Sequence, residues 1–393
     1  MDEELYDIVI VGAGSAGLAA GIYGARARRT TLILDKKRPG GQAATTEKME
    51  NYPGFPESIG GKELMERFRE HALKMGCNIE KAEVRGTFGE KNGLYTVFAG
   101  NNAVFKGRSL ILAPGCEPRR LGIPGEKELS GRGVSYCATC DAELYEGAKV
   151  IVAGSGDTAV EEADYISRFA DEVVMIVVHD EGILDCNKTM AERAMENPKL
   201  KWKWNRSLLA IEGEGTVEQV KLKNLRTGCQ EDAECAGVFI FVGIIPQTAF
   251  IGDFVSMKNG FIVTDEKMET NRPLVFAAGD ARVKALRQVV TAASDGAIAA
   301  FHADKALTEI DEYGKSVKRV GREYLLYFYS PFIEESLELF PYVEGKAREL
   351  NLPLIKLDPF RYRKAAEKYN VPASPYLVHI ENEKLKGVIK LSG

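Results

Sequence analysis

One short pattern occurs twice in this chain, and that repetition limits its possible folds more than any other feature. Residues 7–21 read DIVIVGAGSAGLAAG and residues 149–163 read KVIVAGSGDTAVEEA. Each is an apolar, β-branched run, then a glycine turn, then an alanine-rich stretch suited to a helix. A strand that enters a glycine turn and leaves as a helix opens a nucleotide-binding βαβ unit. A further apolar strand follows each time, over 30–35 and 172–178. Two such openings in 393 residues predict two doubly wound, Rossmann-like α/β domains.

The rest of the chain is divided around these openings. The first domain reaches an apolar strand at 109–113, and the second, 117–243, closes on a strand at 238–243. The block 260–307 is too short for a core of its own. It holds a strand-like 274–278, then Gly279-Asp280, then a helix from about Ala292. The first domain is therefore read as discontinuous, 1–116 with 244–310. Residues 311–320 are charged and read as a linker. The tail, 321–393, alternates strand 323–329, amphipathic helix 332–350, strand 353–357, helix 362–369 and strands 376–380 and 384–391. That order predicts a small third α/β domain.

A net charge of −5 argues against nucleic-acid binding through bulk positive charge. The start, Met1-Asp2-Glu3-Glu4, is acidic where a secretory signal would be basic, and the apolar run 6–11 is too short to span a membrane. Seven cysteines, an odd number, do not suit a secreted disulfide framework. These features place the chain in the cytoplasm. Cys229 and Cys235 are six apart with no histidine nearby, so no metal site is expected.

At the first turn, Gly12 permits the tight bend, Gly14 lets backbone approach a pyrophosphate, and Gly17 lets helix and strand pack closely. Ser15 opens the helix, whose free N–H groups and dipole face the phosphates. Asp35 stands at the end of the next strand, where an acid holds a ribose hydroxyl. The second turn offers Gly154, Ser155, Gly156, Asp157 and Thr158, with Ala159 in the third glycine position. Its strand end is different. Counting on by the same interval reaches Val177, followed by Val178, His179, Asp180 and Glu181, with no arginine for a 2′-phosphate. The turn indicates a dinucleotide; the strand end does not indicate which.

Cys137 and Cys140 are the close cysteine pair, in Cys137-Ala138-Thr139-Cys140. At a helix N-terminus such a pair has a lowered thiol pKa and closes a small disulfide ring. One thiolate attacks and the other resolves. Asp141 follows at once and can hand a proton to a departing thiolate. Half of a zinc site is the competing reading, but neither a second C-x-x-C nor a histidine pair accompanies it.

Taken together, these residues resemble the bacterial low-molecular-weight thioredoxin reductases. The resemblance covers about 5–307 and rests on GAGSAG (12–17), PGGQ (39–42), ENYPGFP (50–56), CATCD (137–141), GSGDTAVEEA (154–163), FAAGD (276–280) and RQVVTAASDGAIAA (287–300). It implies FAD on the first domain. Gly12, Gly14, Gly17 and Asp35 would hold its pyrophosphate and ribose, Gly41, Gln42 and Asn51 would lie near the flavin, and Gly279, Asp280, Arg287, Gln288 and Val289 would form the second FAD segment. It further implies that Cys140 faces the flavin, that Cys137 attacks a protein disulfide, and that Asp141 protonates the leaving dithiol. The second domain would turn on a hinge near 114–117 and 243–247, thioredoxin or another small redoxin would be the acceptor, and the chain would form a homodimer.

Two departures from that family stand out. Its His-Arg-Arg…Arg clamp for the 2′-phosphate of NADPH is replaced by Val177, Val178, His179 and Ile183. Charge-assisted bonds to phosphate are worth about 1.5–3 kcal/mol each, so NADPH fits poorly as donor. NADH, with Asp180 on a free ribose hydroxyl, is one alternative; ferredoxin or a second flavin in this domain is the other. Trp202 and Trp204, flanked by Lys201 and Lys203, could stack or dock such a partner, although a twisted surface strand explains them more simply. The second departure is the tail, which resembles a thioredoxin-like domain with Pro375 in the place of that fold's cis-proline. Ile333, Glu334, Glu335 and Ser336 stand where the dithiol would be, and the tail has no cysteine. It can dock or scaffold but cannot exchange sulfur. A redox-regulated binding flavoprotein is the competing reading for the whole chain.

Overall fold

The computed structural model describes residues 4–46, 49–91, 93–372 and 374–391. The chain divides into two compact units, 1–299 and 300–393.

The larger unit contains two doubly wound sheets. The first runs in the order Asn78–Lys81, Thr31–Asp35, Leu5–Val11, Val104–Leu112, Leu94–Ala99, Val84–Lys91, and Val275–Ala277 also pairs with Val104–Leu112. Its central strands are parallel, with Ile10 opposite both Ile33 and Ile111 and Ile111 opposite Phe276. Parallel strands covered on both faces need continuous apolar runs. Ile8, Val9, Ile10, Leu32, Ile33 and Leu34 are all fully buried. The 109–113 strand expected from sequence is the second half of a longer one that also pairs antiparallel with Leu94–Ala99. The helix Ser15–Arg26 lies tight against the opening strand. A Cβ on Gly17 would stand 1.8 Å from the Gly12 carbonyl oxygen, so only glycine fits there.

The second sheet is parallel throughout, in the order Leu200–Lys203, Glu172–Ile176, Lys149–Ala153, Gly237–Ile240, Val134–Ser135. Val150, Val152, Val173 and Met175 pack on Ala159, Val160, Ala163 and Ile166 of the helix Asp157–Ile166. An antiparallel meander, Arg206–Glu212, Gln219–Asn224 and Gln230–Glu234, follows. The expected strand 172–178 ends earlier, at Ile176. Cys116–Pro118 and Ile244–Pro246 form a two-stranded antiparallel ribbon where the chain enters and leaves this lobe, with Ile245 opposite Glu117.

The linker expected at 311–320 is not a linker. It is the last part of a 32-residue helix, Val289–Val320. Its charged composition hid an apolar stripe at Leu307, Ile310, Tyr313, Val317 and Val320, which recurs at helical spacing. Tyr313, Val317 and Val320 pack on the core of the smaller unit.

That core surrounds a four-stranded sheet in the order Leu354–Leu357, Glu323–Phe328, Tyr376–Glu381, Lys384–Ile389. The first two strands are parallel and the others antiparallel, and the peptide Ser374–Pro375 is cis. The single helix expected over 332–350 is two, Glu334–Glu338 and Phe340–Glu349. Pro341 cannot continue the first but suits the first turn of the second. Among the described residues, no helix is long and apolar enough to cross a membrane.

Candidate functional site

Cys137 and Cys140 are joined by a disulfide, with their Cα atoms 5.3 Å apart. Cys137 caps the one-turn helix Ala138–Asp141 in extended conformation, so the i, i+3 spacing brings Cys140 back beneath it. The strand Val134–Ser135 holds the start of the loop. Ser135 Oγ accepts from the Cys137 amide (3.1 Å) and donates to Asp141 Oδ2 (2.5 Å). Burial pushes the Asp141 carboxyl up and the Ser135 hydrogen bond only partly offsets it. A carboxyl so placed beside the disulfide keeps its proton to higher pH than an exposed one.

The loop rests on two residues from distant parts of the chain. Gln288 Nε2 donates to Thr139 Oγ1 (2.8 Å) and lies 3.9 Å from Cys137 Sγ. Asn51 Nδ2 donates to Gln288 Oε1 (3.2 Å) and to the Thr139 carbonyl (3.4 Å). Arg287 lies over the Phe261 ring, 4.5 Å from its centroid, and Nε donates to the Asp280 carbonyl. Val289 begins the long helix.

At the first glycine turn, Asp35 Oδ2 accepts from the Ala13 amide (2.6 Å) and Oδ1 from the Lys37 amide (2.7 Å). Gly14 and Gly41 approach backbone to backbone: a Cβ on Gly41 would be 3.1 Å from Gly14 Cα. Gln42 begins a short 3-10 turn directly after Gly41. Asp280 follows Gly279, and its Oδ1 is buried with no hydrogen-bond partner. Burial raises this carboxyl as well. A buried, unsatisfied carboxylate oxygen beside a bare glycine cradle is costly unless a ligand supplies a hydroxyl. These residues therefore fit FAD, whose sugar and ribityl hydroxyls are such donors.

Below this segment lies a charge cluster that the sequence did not suggest. Asp295 accepts from the Gly279 amide (3.1 Å), from Arg282 Nε (2.8 Å) and Nη2 (3.0 Å), and from Lys284 Nζ (2.7 Å). Burial pushes the Asp295 carboxyl up, but its hydrogen bonds from Arg282 and Lys284 outweigh that and hold it below the ordinary range.

The second turn has a different environment. Gly156 caps the helix Asp157–Ile166, and Thr158 lies in its first turn. Asp157 Oδ1 accepts from the Asn187 amide (2.8 Å), and Ser155 Oγ donates to Asp185 Oδ2 (2.7 Å). Val178 and Ile183 are exposed, and Val177 is buried. The expectation that no arginine stands near this strand end needs correction. Arg226, in the turn after Gln219–Asn224, reaches Asp180 at 2.7 Å. That turn lies 46 residues away in sequence, beyond the reach of local counting. Asp180, expected to be available for a ribose hydroxyl, instead receives the Arg226 guanidinium, which holds its carboxyl below the ordinary range. Trp202 and Trp204 stack at 5.2 Å and pack on the second sheet's core, with the Trp202 Nε1 buried and without a hydrogen-bond partner.

A disulfide in a one-turn loop, docked against a nucleotide-type domain and flanked by a half-buried acid, defines a dithiol–disulfide oxidoreductase built on two nucleotide-binding folds. The family model described as pyridine nucleotide-disulphide oxidoreductase matches residues 6–296. The thioredoxin reductase of Peptoclostridium acidaminophilum is 46% identical over 310 residues, covering 77% of this chain and 97% of its own length. That of Bacillus subtilis is 41% identical over 319 residues, covering 81% and 99%. The crystal structure of thioredoxin reductase from Streptococcus pyogenes superposes with a TM-score of 0.74 at 35% identity, covering 80% of this chain and all of that one. The chain belongs to the pyridine nucleotide-disulphide oxidoreductase family, as a flavin-dependent disulfide reductase.

Proposed function

We propose that this enzyme reduces the disulfide of thioredoxin or a similar small redoxin through Cys137 and Cys140, drawing electrons from a donor other than NADPH. The observation that carries this reading is the Cys137–Cys140 loop lying on Asn51 and Gln288, beside the segment that bears Asp280. Residues 1–116 and 244–310 would hold FAD through Gly12, Gly14, Ser15, Gly17, Asp35, Gly41, Gln42, Asn51, Gly279, Asp280, Arg287, Gln288 and Val289. When bound there, FAD supplies the electron pair that opens the disulfide.

The remaining chemistry belongs to the chain. The Cys137 thiolate attacks one sulfur of the partner's disulfide, which forms a mixed disulfide and releases one partner thiolate. Cys140 then attacks Cys137 Sγ, restoring the intrachain disulfide and releasing the second thiolate. Asp141 protonates that leaving group, and Ser135 positions it. The ribbon of Cys116–Pro118 with Ile244–Pro246 is the natural pivot for turning residues 117–243 so that the dithiol faces a protein partner. Homodimerisation follows the family pattern.

Two observations favour a donor other than NADPH: Val177, Val178 and Ile183 carry no charge, and the nearby Arg226 is bound to Asp180. NADH, reduced ferredoxin and a second flavin bound over residues 154–158 are the alternatives. Anaerobic titration with NADH, NADPH and reduced ferredoxin, following flavin bleaching, separates them, and flavin-to-protein stoichiometry detects a second flavin. Cys140→Ser should abolish disulfide reduction while FAD stays bound; full turnover in that variant would sink the proposal. Turnover should fall as pH rises through the raised Asp141 pKa. Asp141→Asn should lower it about 10²- to 10⁴-fold and remove that limb of the profile.

A further inference from the structure

In a doubly wound domain the dinucleotide pyrophosphate sits on the N-terminus of the helix that leaves the glycine turn. Here the turn is Gly154-Ser155-Gly156 and the helix is Asp157–Ile166. The segment after the strand end folds back over it. The Asp185 amide donates to the Ser155 carbonyl (2.9 Å), and Asp185 pairs with Gly156 as a parallel bridge. Its side chain turns to the same place. Asp185 Oδ2 accepts from Ser155 Oγ (2.7 Å) and lies 2.8 Å from His179 Nε2. Ser155 is buried, while the Asp185 side chain is 59% exposed and so faces the space in front of the turn. Two residues on, Asn187 ties the segment to Asp157 through both its amide (2.8 Å) and its side chain (3.2 Å). Asp185 Oδ2 thus takes the Ser155 hydroxyl that a phosphate oxygen would use, and it brings a negative charge.

The geometry points to Asp185 as a specificity residue: its carboxylate stands where the pyrophosphate of NADH or NADPH would lie, and the domain rejects both by like-charge repulsion. This deepens the donor reading above and rests on it. The missing arginines would weaken NADPH alone. A carboxylate at the pyrophosphate position acts on both nucleotides equally, which moves the source of electrons to a donor that does not bind through phosphates at this turn.

The test uses the full-length flavoprotein and measures the Kd of NAD⁺ and NADP⁺ by calorimetry in wild type, Asp185→Asn and Asp185→Ala. Flavin content and melting temperature confirm that each variant is folded. The asparagine keeps the contacts to Ser155 and His179 and removes only the charge. Both nucleotides should bind roughly tenfold tighter or more in both variants, the scale of losing one like charge at a phosphate contact. Flavin bleaching by NADH should quicken in parallel. Unchanged affinities in both variants, or tight binding of either nucleotide by wild type, would overturn the assignment. So would a gain confined to NADP⁺, which would put the carboxylate at the 2′-phosphate instead. The binding measurement does not involve the dithiol. If photoreduced enzyme failed to reduce a redoxin disulfide while the nucleotide response held, the reductase reading would fall and this one would stand.

Discussion

The two glycine turns begin from nearly the same sequence and end in opposite electrostatic states. Around the first, Asp280 Oδ1 is buried and has no partner, and bare backbone meets backbone at Gly14 and Gly41. Around the second, the three aspartates nearest the turn already have partners within the chain: Asp157 with Asn187, Asp180 with Arg226, Asp185 with Ser155 and His179. An unmet buried acceptor marks a cradle shaped for a ligand, because leaving it unmet is costly. A satisfied ring offers a ligand little and adds charge against it. The motif states that a turn of this kind exists; its neighbours decide whether a nucleotide gains by binding.

That contrast can be tested from its strongest element downward. Asp295 supports the first site from below, with Lys284 and Asp295 side chains each only 7% exposed. Asp295→Ala leaves two cations buried without a counter-charge and should cost about 3–5 kcal/mol of stability by denaturant unfolding. Because this carboxyl lies below its ordinary range, its contribution is present above the unfolded carboxylate pKa and disappears as pH falls through the folded one. Wild type should show that acid limb and the variant should lack it. A loss of under 1 kcal/mol would show the first site to be as loosely supported as the second.

Next in size, Asp280→Ala should weaken FAD retention by roughly 10- to 100-fold, the worth of a charge-assisted hydrogen bond. It should leave the flavin-free protein as stable or slightly more so, since an unsatisfied buried group is removed. Equal destabilisation with and without flavin would mean that Asp280 serves the fold and not a ligand. The smallest effect is expected at the exposed pair of the second turn. Asp180→Ala frees Arg226 and should tighten NADP⁺ by only a few-fold, within the ~1 kcal/mol range of surface ion pairs. A gain of a hundredfold would show the ion pair, and not Asp185, to be the main barrier.

The sequence alone determined the features that depend on local physics. Glycine turns, buried β-branched runs and the i, i+3 dithiol are set within a few residues, where backbone sterics and helical spacing leave few options. That is why the two doubly wound sheets and the disulfide loop could be read from it, and why the tail's strands could be placed within a few residues. Composition misled it at 311–320, where charges on one face of a helix masked the stripe on the other. The tertiary structure alone decided what each charge does. Thr139 meets Gln288 across 149 residues, Asp180 meets Arg226 across 46, and Ser155 meets Asp185 across 30. Such pairings depend on which loops the fold brings together, and no periodicity in the chain encodes them. The sequence showed a second turn without its arginines; only the fold showed an aspartate beside it.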